Sequence, residues 1–383
     1  MVKVHMTKTR ARRVGGVLVA CAIVAIVSVC LWPRRAGRVL PHVEPDLSNH
    51  PLYSTYEFGT DDRVIDFGVQ PLWIPTCIIS QTMKRDRILE KAFSSQGLEL
   101  RFHPFLKGAD INFFLRRGDI DVVIAGDMPA LTAAADSNVV VAALIQHGFC
   151  SIVAKRPMLL TELRRKRIGY AFGSNAHYGL LDALSTAGLV EEDVRLIPID
   201  VTEMPEALDA GTIEAFSAWE PTPCLATTTY TDQQVIHRML STGYLYFARG
   251  FAEQHPELLR QIVASELRAI NWLDGDNLVL AIGWATEAGN KISANHLPVP
   301  GVEECVTLAK EDILGGPPSA ALSQEDLADD GRLFREFDFL KALGKIPGTT
   351  KWERVRACFD ASIIRQIRAR GSKYQINTFD YLD

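Results

Sequence analysis

The sequence predicts an α/β chain of two lobes, each built on a mainly parallel sheet, behind an apolar N-terminal helix and ahead of a helical C-terminal extension. Three observations lead there. From Val64 onward, short strand-like apolar runs alternate with segments of helical period. Near Ser151 this alternation starts afresh, and past Arg249 only the helical period remains. A chain of 383 residues also exceeds what one hydrophobic core usually serves, so two lobes are expected.

In order, 64–69 reads as the first strand and Gln70-Pro71-Leu72-Trp73 as the loop leaving it. A helix is expected over about 77–93, a strand over 98–103, a helix over 109–117 and a strand over 122–125. Gly126-Asp127-Met128-Pro129 turns into the next helix, and Pro129 suits a first turn because its missing N–H is not needed there. The stretches 139–144 and 151–154 read as two separate strands.

The second unit opens on a strand at 167–171, a Gly173-Ser174 turn and a helix from about Ala176. Leu180, Leu181 and Leu184 share one stripe of that helix, and Gly188 stops it. Strands at 194–199, 215–219, 235–239 and 244–247 follow, with helices over 204–210 and after Pro221 and Pro223. Helices over 256–273, 277–292, 322–343 and 351–368 complete the chain, with Gly315-Gly316-Pro317-Pro318 as the clearest break.

Hydrophobic residues at 47% and charged ones at 23% are ordinary for a globular protein, and a net charge of −5 offers no basic field to nucleic acid. Seven scattered cysteines show no C-x-x-C spacing, so no zinc or redox motif is indicated and no cofactor is expected. Lys3, Lys8, Arg10, Arg12 and Arg13 precede an uncharged run from Val14 to Trp32 that is long enough to cross a bilayer. An uncleaved anchor is preferred because the run exceeds a typical signal-peptide core. A cleaved signal and a lipoprotein signal at Leu18-Val19-Ala20-Cys21 stay open. All three place the body outside the cytoplasmic membrane. Residues 1–35 are read as this segment, and 36–62, with Pro41, Pro45 and Pro51, as an extended linker.

In open α/β sheets, ligands sit beyond the carboxyl ends of strands. Those ends supply Gln70, Trp73, Asp127, Met128, Pro129, Gly173, Ser174, Asn175, His177, Trp219 and Glu220, with Phe149 where the first unit passes into the second. Aromatics, two carboxylates and small polar groups are the mix of a small-molecule pocket. Ser174 or Asn175 would also serve as a plain helix cap, and Asp127 as the cap of the helix near Pro129. His177 falls in a first helical turn, which favours a neutral imidazole. No G-x-S-x-G, H-E-x-x-H, Walker or G-x-G-x-x-G motif occurs, so no catalytic residue is assigned and the chain is not read as an enzyme.

Four segments together resemble the periplasmic solute-binding proteins of ABC importers for sulfonates, taurine, nitrate and thiamine precursors, the NMT1-like group. They are 115–131 around Gly126-Asp127-Met128-Pro129, 173–181 (GSNAHYGLL), 210–221 ending Trp219-Glu220-Pro221, and 255–273 opening His255-Pro256-Glu257. The resemblance implies a type II periplasmic-binding fold with lobe I over 63–144 and 245–300, lobe II over 145–244, and a ligand in the cleft. It places ligand positions on Gln70 to Trp73, Asp127 to Pro129, Gly173 to His177 and Trp219-Glu220. It also implies a small polar solute and an ABC permease as partners, or a membrane sensor if the cleft reports ligand instead of delivering it. A pyrimidine synthase or dehydratase on the same fold is the remaining alternative. The apolar N-terminus and the extension over 301–383 depart from the group's usual pattern.

Overall fold

The computed structural model describes residues 46–59, 63–136, 138–293, 300–314 and 321–382. The expected N-terminal anchor and the Gly315–Pro318 break lie outside the described residues. Among those described, no helix is long and apolar enough to cross a membrane.

Strand β1 (Val64–Val69) is almost wholly buried and leads into helix α1 (Ile74–Lys84), which carries Pro75 in its first turn. The single helix expected over 77–93 is two. Asp86 caps α2 (Arg87–Ser94) by accepting from the N–H groups of Ile88 and Leu89. The same carboxylate meets buried Arg268 at 2.7 Å, so this break is fixed from outside the helix. Then come β2 (Glu99–Pro104), α3 (Gly108–Arg117), β3 (Val122–Gly126) and α4 (Asp127–Ala135).

Strand β4 (Val139–Ala154) runs 16 residues where two short strands were expected. It is followed by β5 (Arg167–Tyr170), α5 (Asn175–Thr186), β6 (Arg195–Pro198), α6 (Met204–Asp209), β7 (Ala215–Trp219) and α7 (Thr222–Thr229). Strand β8 (Gln234–Ala248) is likewise one 15-residue strand in place of two. The polar interruptions are continuous ladder. Gln146, His147 and Gly148 pair with Gly243, Thr242 and Ser241.

All eight strands form one sheet in the order β2-β1-β3-β8-β4-β7-β5-β6. The β2-β1-β3 and β7-β5-β6 groups are parallel, and β8 and β4 run antiparallel between them. Crossover helices cover the faces, as parallel pairing requires. In the first half, one core packs Phe67, Ile124 and Phe247 under α1 and later helices, and a second packs Val123, Tyr246 and Val141 under α3 and α4. In the second half, Ile168 and Leu180 centre one core, and Phe216 and Leu208 the other.

Helices α8 (Arg249–Gln254), α9 (Pro256–Leu273), α10 (Leu278–Ser293) and α11 (Val302–Ala309) follow, and a π-turn at Lys310–Leu314 extends α11. Beyond them lie α12 (Arg332–Ala342), α13 (Trp352–Arg356), α14 (Ser362–Ala369) and α15 (Gly371–Tyr374).

Two expected helices are shorter than their periodicity suggested. The one over 322–343 is helical only from Arg332. Gly331, just before it, lies so close to the Glu325 and Asp326 carbonyls that a Cβ would approach to 2.4 Å. The one over 351–368 is split where Cys358 and Asp360 hydrogen-bond the backbone of Val141 in β4. The extension is part of the fold. Leu333, Phe337, Leu340, Trp352 and Val355 lie in one first-half core, and Ile363, Ile364 and Ile367 in the other. The described part of the expected linker is also packed down, because Tyr53 is buried and its hydroxyl donates to Asp110 at 2.7 Å.

Candidate functional site

The turn from β5 into α5 explains its own sequence. Gly173 sits at φ +72°, and the Lys345 side chain crosses it so closely that a Cβ would come within 2.2 Å of that chain. Ser174 caps α5, its Oγ accepting from the His177 N–H at 3.1 Å and donating to the Ala171 carbonyl at 2.7 Å. Asn175 reaches across to donate to the Ser241 hydroxyl on β8. His177 accepts the Gly173 N–H on Nδ1 at 3.2 Å, which leaves its proton on Nε2. Burial, and secondarily the charge of Lys345, lowers its pKa to about 4. The imidazole is therefore neutral.

Successive residues of β4 and β8 face opposite sides of the sheet. On the side of His147 and Thr242, Asp127 accepts from the Thr242 N–H at 3.0 Å, and Arg332 of α12 lies 3.1 Å from the same carboxylate oxygen. Arg332 also donates to Thr242 Oγ1 at 2.7 Å and pairs with Glu336 and Asp326. Burial, then the neighbouring Asp127, raises the Glu336 pKa to about 8. Farther along the segment, Phe339 stands edge-on to the His177 ring, and the Lys345 ammonium lies over the Phe172 ring. The C-terminal segment thus spans the starts of α4 and α5.

On the opposite side, the Trp73 ring lies against Gly243 and Gly126. Gln146 and Asp312 of the π-turn crowd over Gly148, where a Cβ would come within 2.8 and 2.7 Å of their polar atoms. Ser241, the partner of Asn175, is paired in register with Gly148. The Glu220 carboxylate accepts from the Cys224 N–H at 3.1 Å, and burial raises its pKa to about 7. Burial, followed by the charge of Glu220, raises Asp312 to about 8. At the edge, Arg238 meets Glu311 at 3.0 Å and lies over the Phe149 ring.

The strand-end residues therefore separate into groups. Trp73 and Asn175 lie with Gln146, Ser241 and Asp312 on one side of the hinge strands, Glu220 is the neighbouring charge that acts on Asp312, and Phe149 falls on the opposite side by its register with Leu240. Asp127 meets Arg332 of α12 on the other, and the His177 ring of the α5 turn meets Phe339 of the same helix. Met128 points into a first-half core, and the Pro129 carbonyl accepts from Asn112 at 2.8 Å. Gln70 turns toward Gly108 at the start of α3, and Trp219 is half-buried in register with Cys150. Sequence reasoning missed Gln146, Asp312, Arg332 and Lys345. A glutamine inside an apolar strand run was a usable signal. The other three sit on the extension, where nothing local marks them. His147 and Cys150, three positions apart on β4, face opposite sides of the sheet, and burial pushes the Cys150 thiol well above its ordinary value.

A single sheet of two α/β halves, joined through a pair of long antiparallel strands with helix starts converging at the junction, is the type II periplasmic-binding-protein fold. The crystal structure of the periplasmic aliphatic sulphonate binding protein SsuA from Escherichia coli matches it with a TM-score of 0.61 at 18% identity, covering 77% of this chain and 92% of that one. The chain belongs to the NMT1-like family, whose model matches residues 87–280, just over half of its length. A Bacillus subtilis (strain 168) protein named for binding aliphatic sulfonates is 25% identical over 220 residues, 55% of this chain and 65% of that protein. The taurine-binding periplasmic protein of Escherichia coli (strain K12) is 24% identical over 185 residues, 45% of this chain and 57% of that protein. The chain thus spans less than two thirds of the length of either of these relatives.

Proposed function

We propose that this chain is an extracytoplasmic solute-binding protein of an ABC-type importer, holding a small polar organic solute of the sulfonate or aminosulfonate class between its two halves. The observation that carries the reading is that Trp73 and Asn175, from two separate strand ends, meet Gly243 and Ser241 on one side of the hinge strand β8. Residues 63–144 with 245–300 would move as lobe I against 145–244 as lobe II, with β4 and β8 as the hinge. Solute would shift the open–closed equilibrium and a permease would read the closed form. The names of the two relatives support the solute class and the location outside the cytoplasm. The basic and apolar N-terminal run supports a membrane tether. The names of both relatives, each a binding protein, support a role in binding.

Calorimetric titration of the full chain with taurine, ethanesulfonate, nitrate and an aminopyrimidine tests this. Saturable heat with a sulfonate is expected, and no heat across the panel contradicts it. One observation favours a second reading, a membrane sensor or scaffold subunit: α12 places Arg332 and Glu336 at the start of α4. Recovery of a membrane kinase or cyclase in place of a permease from a cross-linked membrane preparation would support that alternative.

A further inference from the structure

Gln146 and Asp312 do not lie on any strand-end loop, and Asp312 lies beyond the residues that the family model matches. Both are nine-tenths buried or more, at 4% and 2% exposure. Neither amide atom of Gln146 has a hydrogen-bond partner among the described residues, and neither does Oδ2 of Asp312. Buried polar atoms are rarely left so, because desolvation is then uncompensated. The atoms converge, since both side chains lie over Gly148, whose lack of a Cβ is what lets them approach.

Glu220 is the neighbouring charge that acts most on Asp312. Arg238 is the cation that acts on both carboxyl groups, and it is committed to Glu311 at the edge. The buried Asp312 carboxyl and the Gln146 amide, whose Nε2 faces Gly148 and whose oxygen takes that place when the amide is turned over, suit a group carrying several N–H donors better than a bare anion. The Trp73 ring, close to the Gln146 side chain across Gly243, adds an aromatic face of the kind that attracts cations.

We infer that Asp312 and Gln146 form a subsite for a protonated amine on the solute, so that the chain selects an aminosulfonate over a plain sulfonate. This rests on the solute-binding reading above and narrows it. In that arrangement the Asp312 carboxylate and the Gln146 oxygen accept from the ammonium, and neither touches the sulfonate end.

The test compares taurine with ethanesulfonate, which lacks the ammonium, on the full chain and on its Asp312→Asn and Gln146→Leu variants by calorimetry. Wild type is expected to favour taurine by about tenfold or more, and each variant to reduce that preference to about threefold or less without weakening ethanesulfonate. Thermal melts establish that the variants fold, and Gln146→Leu carries the test if Asp312→Asn does not. Equal or better binding of ethanesulfonate by wild type overturns the subsite and leaves the solute-binding reading standing. So does an equal loss of both ligands in the variants. Binding of neither compound overturns both.

Discussion

Arg332 places its guanidinium 3.1 Å from the carboxylate of Asp127, a residue 205 positions earlier in the chain. Asp127 begins α4, at a strand end where the sequence pointed to a pocket carboxylate or a helix cap. The cation it meets belongs to the chain's own C-terminal helix. Glu336 and Asp326 share that guanidinium, so three acidic groups surround one base in a buried setting.

Removing the base strands the acids. Arg332→Met is expected to destabilise the fold by about 3–5 kcal/mol in urea denaturation, the usual cost of breaking one side of a buried ion pair. Adding Asp127→Asn to it should recover part of that loss. Strict additivity of the two changes would show that they are not coupled.

The raised carboxyl groups give stability a defined pH dependence. Glu220, Glu336 and Asp312 have folded pKa values of about 7, 8 and 8, above their ordinary values near 4. The native state therefore holds more protons than the unfolded chain between about pH 4 and 8, and their contribution to stability is lost as pH rises through that window. Asp312→Asn should raise the melting temperature more at pH 8.5 than at pH 5. An equal shift at both pH values would mean that Asp312 titrates normally.

His177 has the opposite sign. Its folded pKa is lowered from 6.5 to about 4, so the native state binds fewer protons than the unfolded chain in between. Its contribution is complete above about pH 6.5 and is lost as pH falls toward 4. An NMR titration of the imidazole should find it neutral at pH 6. A midpoint at or above 6.5 would contradict the burial that Tyr170, Phe172 and Phe339 provide.

The extension should behave as core. Trp352 is buried against Phe334 and Phe337, and its truncation to Ala is expected to cost about 3–5 kcal/mol. Loss of under about 1 kcal/mol in denaturant unfolding would show that the segment is peripheral.

Much of the fold was legible because it is local. The strand expected over 215–219 is β7 to the residue, and the Gly173-Ser174 turn leads into α5 with Ser174 as its cap. Strand continuity was not legible. β4 departs from register between Val141 and Ala143 and again between Leu144 and Gln146, so its alternation breaks although its pairing does not. The break between α1 and α2 depends on Asp86 and its distant partner Arg268, which no sequence window contains. The site divides in the same way. Trp73 and Glu220 could be named from strand ends, but Asp312 and Arg332 arrive from the extension through tertiary packing.

The most direct test of solute binding at the hinge is a crystal structure grown with taurine. Ligand density bounded by Trp73, Asn175 and Glu220, with its amine toward Asp312 and Gln146, is the expected result. An ordered taurine bound elsewhere, with those side chains unchanged, would contradict it.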